Sequence, residues 1–169
     1  MIQNSLANKV VLVTGAARRI GAAIVTRLHA NGACVAIHFR GSADDAGALA
    51  DRLNAERENS AKTFRADLLD TAGLPRLIDD VVAWGGRLDG QVNNASTFYP
   101  TPVGEITEAH WDDLVGSNFK APLFLIQPAA GELQRTRGGI VNIFDIHAQR
   151  PLPDHSVYGP PKAALAMLT

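Results

Sequence analysis

Val10-Val11-Leu12-Val13-Thr14-Gly15-Ala16-Ala17-Arg18-Arg19-Ile20-Gly21 is the stretch on which the fold turns. Four consecutive apolar residues read as a buried strand, Gly15 as a tight turn, and Gly21 as a glycine opening a helix. Ile20, Ile24 and Leu28 follow at four-residue spacing, predicting an inward face, and Asn31-Gly32 reads as the helix end. Strand, glycine loop and helix in this order let a backbone approach a pyrophosphate, with the helix N-terminus attracting its charge. The same letters also describe an ordinary strand-turn-helix, so the rest of the chain has to decide.

Further apolar runs stand at Cys34–Phe39, Lys62–Phe64, Leu88–Val92 and Ile140–Phe144, with helical patterns between them. Such alternation predicts an α/β fold built on a parallel sheet. Ser42 with Asp45 three residues on predicts a capping box, opening a helix that turns Leu49 and Leu53 inward. Asp70 or Thr71 is expected to cap the next helix, which carries Leu74, Leu77, Ile78 and Val81 and tolerates Pro75 near its start. A short helix over Thr107–Leu114 and a longer one from about Ser117 follow a loop rich in aromatics and prolines. With no repeat or linker, residues 1–169 read as one domain.

Composition excludes several classes. Hydrophobic residues at 46% and charged ones at 20% are ordinary for a globular protein. Cys34 stands alone, so no intrachain disulfide forms, and no run is long and apolar enough for a membrane span. The start lacks the pattern of a signal peptide, and the cytoplasm is the expected compartment. Residues 1–43 hold Lys9, Arg18, Arg19, Arg27 and Arg40 and no acid, a charge of +5 against −6 for the remainder. These cations are dispersed over strand, loop and helix without interleaved aromatics, which argues against nucleic acid and for a small polyphosphate ligand.

The chemistry-bearing letters lie near the end. Tyr158-Gly159-Pro160-Pro161-Lys162 puts a phenol and an amine one helical turn apart, and Asp145 stands thirteen residues before the phenol. The ammonium is expected to lower the phenol's pKa toward the range where it exchanges protons. After the second strand the chain reads His38-Phe39-Arg40-Gly41-Ser42, with no acid before Asp44 to hold ribose hydroxyls. Arg40 and Ser42 suit a 2′-phosphate, or else are a solvated charge and a helix cap. Asp67 is either an adenine contact or a turn cap. His147 and His155 read as loop residues, and no metal is expected.

Thr14-Gly15…Gly21, Asp67, Asn93-Asn94-Ala95, Asn118 and Tyr158-x-x-x-Lys162, in order and spacing, resemble the short-chain dehydrogenase/reductase family over the whole chain. The resemblance implies a Rossmann-type doubly wound parallel sheet. It implies a catalytic set in which Tyr158 donates a proton, Lys162 holds the nicotinamide ribose, and Asn118 positions a relay water. Arg19 for the usual middle glycine, Asp145 for the usual serine and Ser96-Thr97-Phe98-Tyr99-Pro100 after Asn94-Ala95 are similar to the pteridine reductase branch. That branch implies NADPH, held by Gly15, Arg19, Ile20, Gly21, His38, Arg40, Ser42, Asp67, Leu68, Asn94, Ala95, Ser96, Tyr158 and Lys162. It also implies a pterin or dihydrofolate-like substrate met by Arg19, Ser96, Phe98, Asp145 and Tyr158, with Phe98 stacking on the flat bicycle and Asp145 orienting Tyr158. Reduction of a ketone or 3-oxoacyl thioester is the enzymatic rival, and an inactive cofactor-binding fragment the alternative of another class. A homotetramer is expected for the full-length protein, through the helices that carry Pro128 and Pro160-Pro161.

Local chemistry conflicts with this reading at a few positions. A helix capped by Ser156 would carry Pro160 and Pro161 at its fourth and fifth residues, at up to ~3 kcal/mol each. Pro128 interrupts a helix, and Gly90 and Gln91 weaken the fourth strand. Five strand candidates are fewer than such sheets often carry, and the pattern stops within a helix at Thr169. The C-terminal strands and substrate lid of the family are therefore expected to be missing, and residues 1–169 to fold poorly and lack activity.

Overall fold

The computed structural model describes residues 5–169. Strands β1 (Val10–Val13), β2 (Cys34–Phe39), β3 (Ala61–Arg65), β4 (Gly90–Asn93) and β5 (Gly139–Asn142) pair in parallel in the order β3-β2-β1-β4-β5. Helices α1 (Arg19–Ala30), α2 (Ala43–Glu56), α3 (Leu74–Gly85), α4 (Glu108–Val115), α5 (Ala121–Thr136) and α6 (Gly159–Leu168) complete a Rossmann-type α/β architecture. The strand order reverses between β1 and β4, and a crevice opens there at the carboxyl ends of the strands.

Two apolar clusters sandwich the sheet. Val10 and Leu12 pack with Leu77, Ile78 and Val81 of α3 and Leu125 and Ala129 of α5 on one face. Val11 and Val13 pack with Val25 of α1 and Leu49 and Leu53 of α2 on the other. A β-strand buried on both faces explains why Val10–Val13 has no polar alternation. β5, at the sheet edge, alternates exposed and half-buried residues, and Val141 and Phe144 are exposed.

Several local expectations change. In α1 the innermost residues are Gly21, Val25 and His29; Ile24 and Leu28 only flank the core, and Ile20 faces outward. The helix rotates because Gly21 must press on the glycine loop: a Cβ there would meet Gly15 O and lie 2.7 Å from Asn94 Nδ2. The capping box at Ser42 does not form, since its side chain makes no cap bond and Asp45 pairs with Arg18 instead, Nε to Oδ2 2.6 Å. Asp70 makes no side-chain cap either; a single 3₁₀ turn, Thr71–Gly73, leads into α3 with Pro75 in its first turn.

Thr107 does cap α4, in a reciprocal box with His110. The two helices expected here are one helical run, because a π-helical stretch, Gly116–Lys120, joins α4 to α5. Pro128 sits inside α5 without ending it. In α6 the N-cap is Tyr158 and not Ser156, which moves Pro160 and Pro161 into the first turn, where backbone donors have no intrahelical partner to lose. Gly90 and Gln91 both lie within β4; Gln91 is fully buried and donates to Asn93 Oδ1 at 2.9 Å. A Cβ on Gly90 would crowd Val11 at 3.2 Å, so the glycine permits close strand contact.

Candidate active site

The crevice is a cleft of about 1000 Å³ lined by the glycine loop, the β2–α2 turn, Asp67–Leu69 after β3, Asn94–Phe98 after β4, Asp145–His147 after β5, and Tyr158. Five segments distant in sequence meet because every strand delivers its following loop to the same end of a parallel sheet.

The glycine loop is held from three sides. Gly15 has φ of +60°, and a Cβ there would lie 2.9 Å from Ala95 Cα. Asn94 Nδ2 donates to Thr14 O at 2.9 Å and Gly15 O at 3.1 Å, while Thr14 Oγ1 accepts from the amides of Asn94 and Ala95, both at 3.0 Å. His38, buried at the end of β2, accepts the Gly15 amide on Nδ1 at 3.1 Å and donates from Nε2 to Ala66 O at 3.2 Å. Burial pushes its pKa down to about 4, against the weaker pull of Ala66 O and Asp67. His38 is thus a neutral strut that joins three strand ends.

On the cationic side, Arg40 is exposed and its guanidinium has no partner among the described residues. Ser42 is half-buried beside it, and both line the cleft. Arg19 adopts φ of +51° and also lines the cleft, as does the exposed Ile20. Leu68 is buried under the rim. Asp67 Oδ1 accepts the Leu69 amide at 3.0 Å, the turn-capping role, while its residue still lines the cleft. Arg18 escaped the sequence reading as a site residue; it lies in the cleft wall and pairs with Asp45 at 2.5 Å across the mouth.

The reactive groups cluster under the loop after β4. The Tyr158 hydroxyl donates to Asp145 Oδ2, and Asp145 Oδ1 accepts the His147 amide at 2.8 Å. Tyr158 is buried, and burial, the Asp145 acceptor and its negative charge raise the phenol well above the ordinary tyrosine range, with Ser96 opposing. The expected lowering by Lys162 is absent from this arrangement. Lys162 Nζ lies 5.7 Å from the Tyr158 ring centroid and donates to Ile143 O at 3.2 Å; burial holds its own pKa down despite Asp145. Tyr158 still has helical backbone angles, φ −80° and ψ −43°, so the Tyr–Lys spacing survives the shifted cap.

Asn118, fully buried in the π-helical stretch, accepts from Ser96 Oγ at 2.6 Å and donates to Thr97 O and Leu114 O, both at 2.9 Å. Its side chain fixes the loop that carries Ser96 and Phe98. A π-helical step turns that side chain inward without breaking the helix, a local irregularity frequent at functional sites. Phe98 is 56% exposed, stacks on His155 at 4.7 Å and meets Tyr158 edge-on at 4.8 Å. The buried Thr101 anchors the far end of this loop by accepting the Val157 amide at 3.2 Å. Neither Thr101 nor the His155 platform was legible in spacing, because both act across a gap of some fifty residues.

The donor set fits a dinucleotide. A loop whose two glycines exclude side chains from the phosphate track, an uncompensated guanidinium at the β2 end, and a buried phenol and ammonium at the β5 end match the two termini of an extended nicotinamide cofactor.

A family described as short chain dehydrogenase matches residues 9–169. The chain is 40% identical to pteridine reductase 1 of Leishmania tarentolae over 198 aligned residues, which take in 95% of this chain and 68% of that protein. It is 33% identical to the hydroxynaphthalene reductase-like protein Arp2 of Metarhizium guizhouense over 98% of this chain and 61% of the relative. It is 32% identical to the 3-oxoacyl-(acyl-carrier-protein) reductase FabG of Staphylococcus aureus, over 95% and 65% respectively. The chain thus spans about two thirds of the length of these relatives. The first alignment is longer than the 169-residue chain itself, so that relative carries insertions within the matched span.

Proposed function

The chain belongs to the short-chain dehydrogenase family, and we propose that within it this protein is an NADPH-dependent reductase of pterins or dihydrofolate-like substrates. One observation carries the reading: Phe98, more than half exposed at the cleft and stacked on His155, meets the carboxylate-bound phenol of Tyr158 edge-on, so that a flat heterocycle with amino and amide edges finds an aromatic neighbour and an acceptor together. Identity of 40% to a pteridine reductase supports it, and likeness to reductases of other substrates keeps ketone or thioester reduction as the rival.

In this reading Gly15, Arg19, Ile20, Gly21, His38, Asn94, Ala95 and Ser96 line or fix the cofactor track, Asp67 and Leu68 border the adenine, and Arg40 with Ser42 receives the 2′-phosphate. The cofactor supplies a hydride to an electron-poor C=N bond. Tyr158 enters the reaction protonated, since its pKa lies above the neutral range. Its hydroxyl turns from Asp145 toward the substrate nitrogen, and Asp145 then accepts a hydrogen bond from the substrate's amino edge. Lys162, buried and pointed along Ile143 O, contributes a fixed positive charge near the ribose. Asn118 maintains the Ser96–Phe98 loop, and a relay water beside it is part of the same reading. The reaction is assigned to the cytoplasm and to a homotetramer of the full-length protein; no helix among the described residues is long and apolar enough to cross a membrane.

The test is oxidation of NADPH by the full-length protein with dihydrobiopterin in one arm and an acetoacetyl thioester in the other. Turnover with the pterin alone supports the proposal, turnover with the thioester alone replaces it with the rival, and silence in both arms leaves a cofactor-binding protein.

A further inference from the structure

Four arginines surround the β2–α2 turn, and their commitments differ. Arg18 is neutralised by Asp45 at 2.5 Å. Arg19 belongs to the glycine loop. Arg40 follows the last residue of β2, and Arg65 is the last residue of β3, paired in register with Phe39. Arg65 is exposed, yet its side chain is not loose: Nε donates to Arg40 O at 3.2 Å, which fixes the guanidinium against the turn that carries Arg40 and Ser42.

Neither Arg40 nor Arg65 has a carboxylate within salt-bridge distance among the described residues. The remaining nitrogens of Arg65 make no hydrogen bond there either. Arg65 is thus tied to the backbone of Arg40 across adjacent strand ends, and neither guanidinium is compensated by a carboxylate among the described residues. An arginine anchored through Nε keeps its two terminal nitrogens as a fork, the geometry that meets a phosphate with two parallel hydrogen bonds.

We propose that Arg65 is a specificity-determining residue for the nucleotide: with Arg40 and Ser42 it forms a two-guanidinium clamp for the 2′-phosphate of the adenosine ribose. The proposal deepens the NADPH reading and rests on it. It assigns to Arg65 the second cation of the subsite, at the end of β3 just outside the residues that line the cleft. The 5′-side of the nucleotide, held by the glycine loop, is untouched by this residue.

Competition or calorimetric titration of the full-length protein with 2′,5′-ADP and 5′-AMP isolates the subsite from catalysis. The wild-type protein is expected to bind 2′,5′-ADP more tightly than 5′-AMP. Arg65→Met is expected to weaken 2′,5′-ADP on the order of 10-fold, as for loss of a solvent-exposed charge-assisted contact, and to leave 5′-AMP unchanged. Arg65→Lys should recover part of the loss, since charge returns without the fork. If the wild type discriminates and Arg65→Met discriminates equally, the clamp is overturned while the NADPH reading stands. If the wild type itself does not discriminate, both fall. Equal weakening of the two ligands by Arg65→Met would also overturn the proposal, by showing that the residue only props the turn.

Discussion

The hydroxyl of Tyr158, at the head of α6, donates to Oδ2 of Asp145, which stands just beyond β5 and thirteen residues earlier. The pair decides how the phenol behaves. A buried hydroxyl facing a carboxylate holds its proton through the neutral range, so Tyr158 is present as the phenol and not as a standing phenolate.

Tyr158→Phe should keep nucleotide affinity and lose most turnover, by ~10² to 10⁴, the usual contribution of a general acid. Steady-state rates beside nucleotide titration check this. Near-normal turnover would move the proton donor to Asp145 or to a water.

Asp145→Asn should bring the phenol pKa down, because the negative charge that favours the neutral phenol is gone. Phenolate absorbance against pH, with Tyr158→Phe as the blank, reads the shift. The same group has a stability signature: its folded pKa is raised above ~10, so its contribution is full below that pH and is lost as pH rises further. The Asn variant should lose less stability in alkali than the wild type.

His38 should make the protein acid-sensitive. Its folded pKa of about 4 lies below the unfolded ~6.5, so its contribution is full above pH ~6.5 and is lost as pH falls toward 4, to an extent of about 3 kcal/mol. Urea unfolding across that window tests the slope, which His38→Gln should flatten. Because His38 accepts the Gly15 amide, the same variant should weaken nucleotide binding at neutral pH.

Phe98→Ala should raise the KM for a pterin and leave nucleotide affinity intact, since the ring is exposed beside Tyr158 and only the loop position, held by Asn118 and Thr101, is structural. An unchanged KM would remove the stacking role.

Pro128→Ala should stabilise the protein by up to ~3 kcal/mol, because the proline denies α5 one internal hydrogen bond. A thermal melt reads it. The equivalent changes at Pro160 and Pro161 should do little, since both lie in the first turn of α6.

Much of the protein was legible in its letters. Val10–Val13 and Cys34–Phe39 are strands over the same bounds in sequence and structure, because residues buried on both faces of a parallel sheet must be continuously apolar. Gly15 and Gly21 mark the loop, since only glycine permits the observed contacts with Ala95 and Gly15 O. Family, fold and the Tyr158–Lys162 pair follow from such short-range constraints. Helix starts were less legible: Ser42 and Asp70 have capping chemistry, but Arg18 competes for Asp45 and a 3₁₀ turn intervenes at Thr71. Tertiary structure alone decided that Asp145 governs the phenol while Lys162 turns to Ile143 O, that His38 braces Gly15, that Asn118 locks the Ser96–Phe98 loop, and that Arg65 lies against Arg40. The physical reason is common to all four: each depends on which atoms of strand ends, loops and helices remote in sequence the packed fold brings within about 3 Å, a distance encoded in no local spacing.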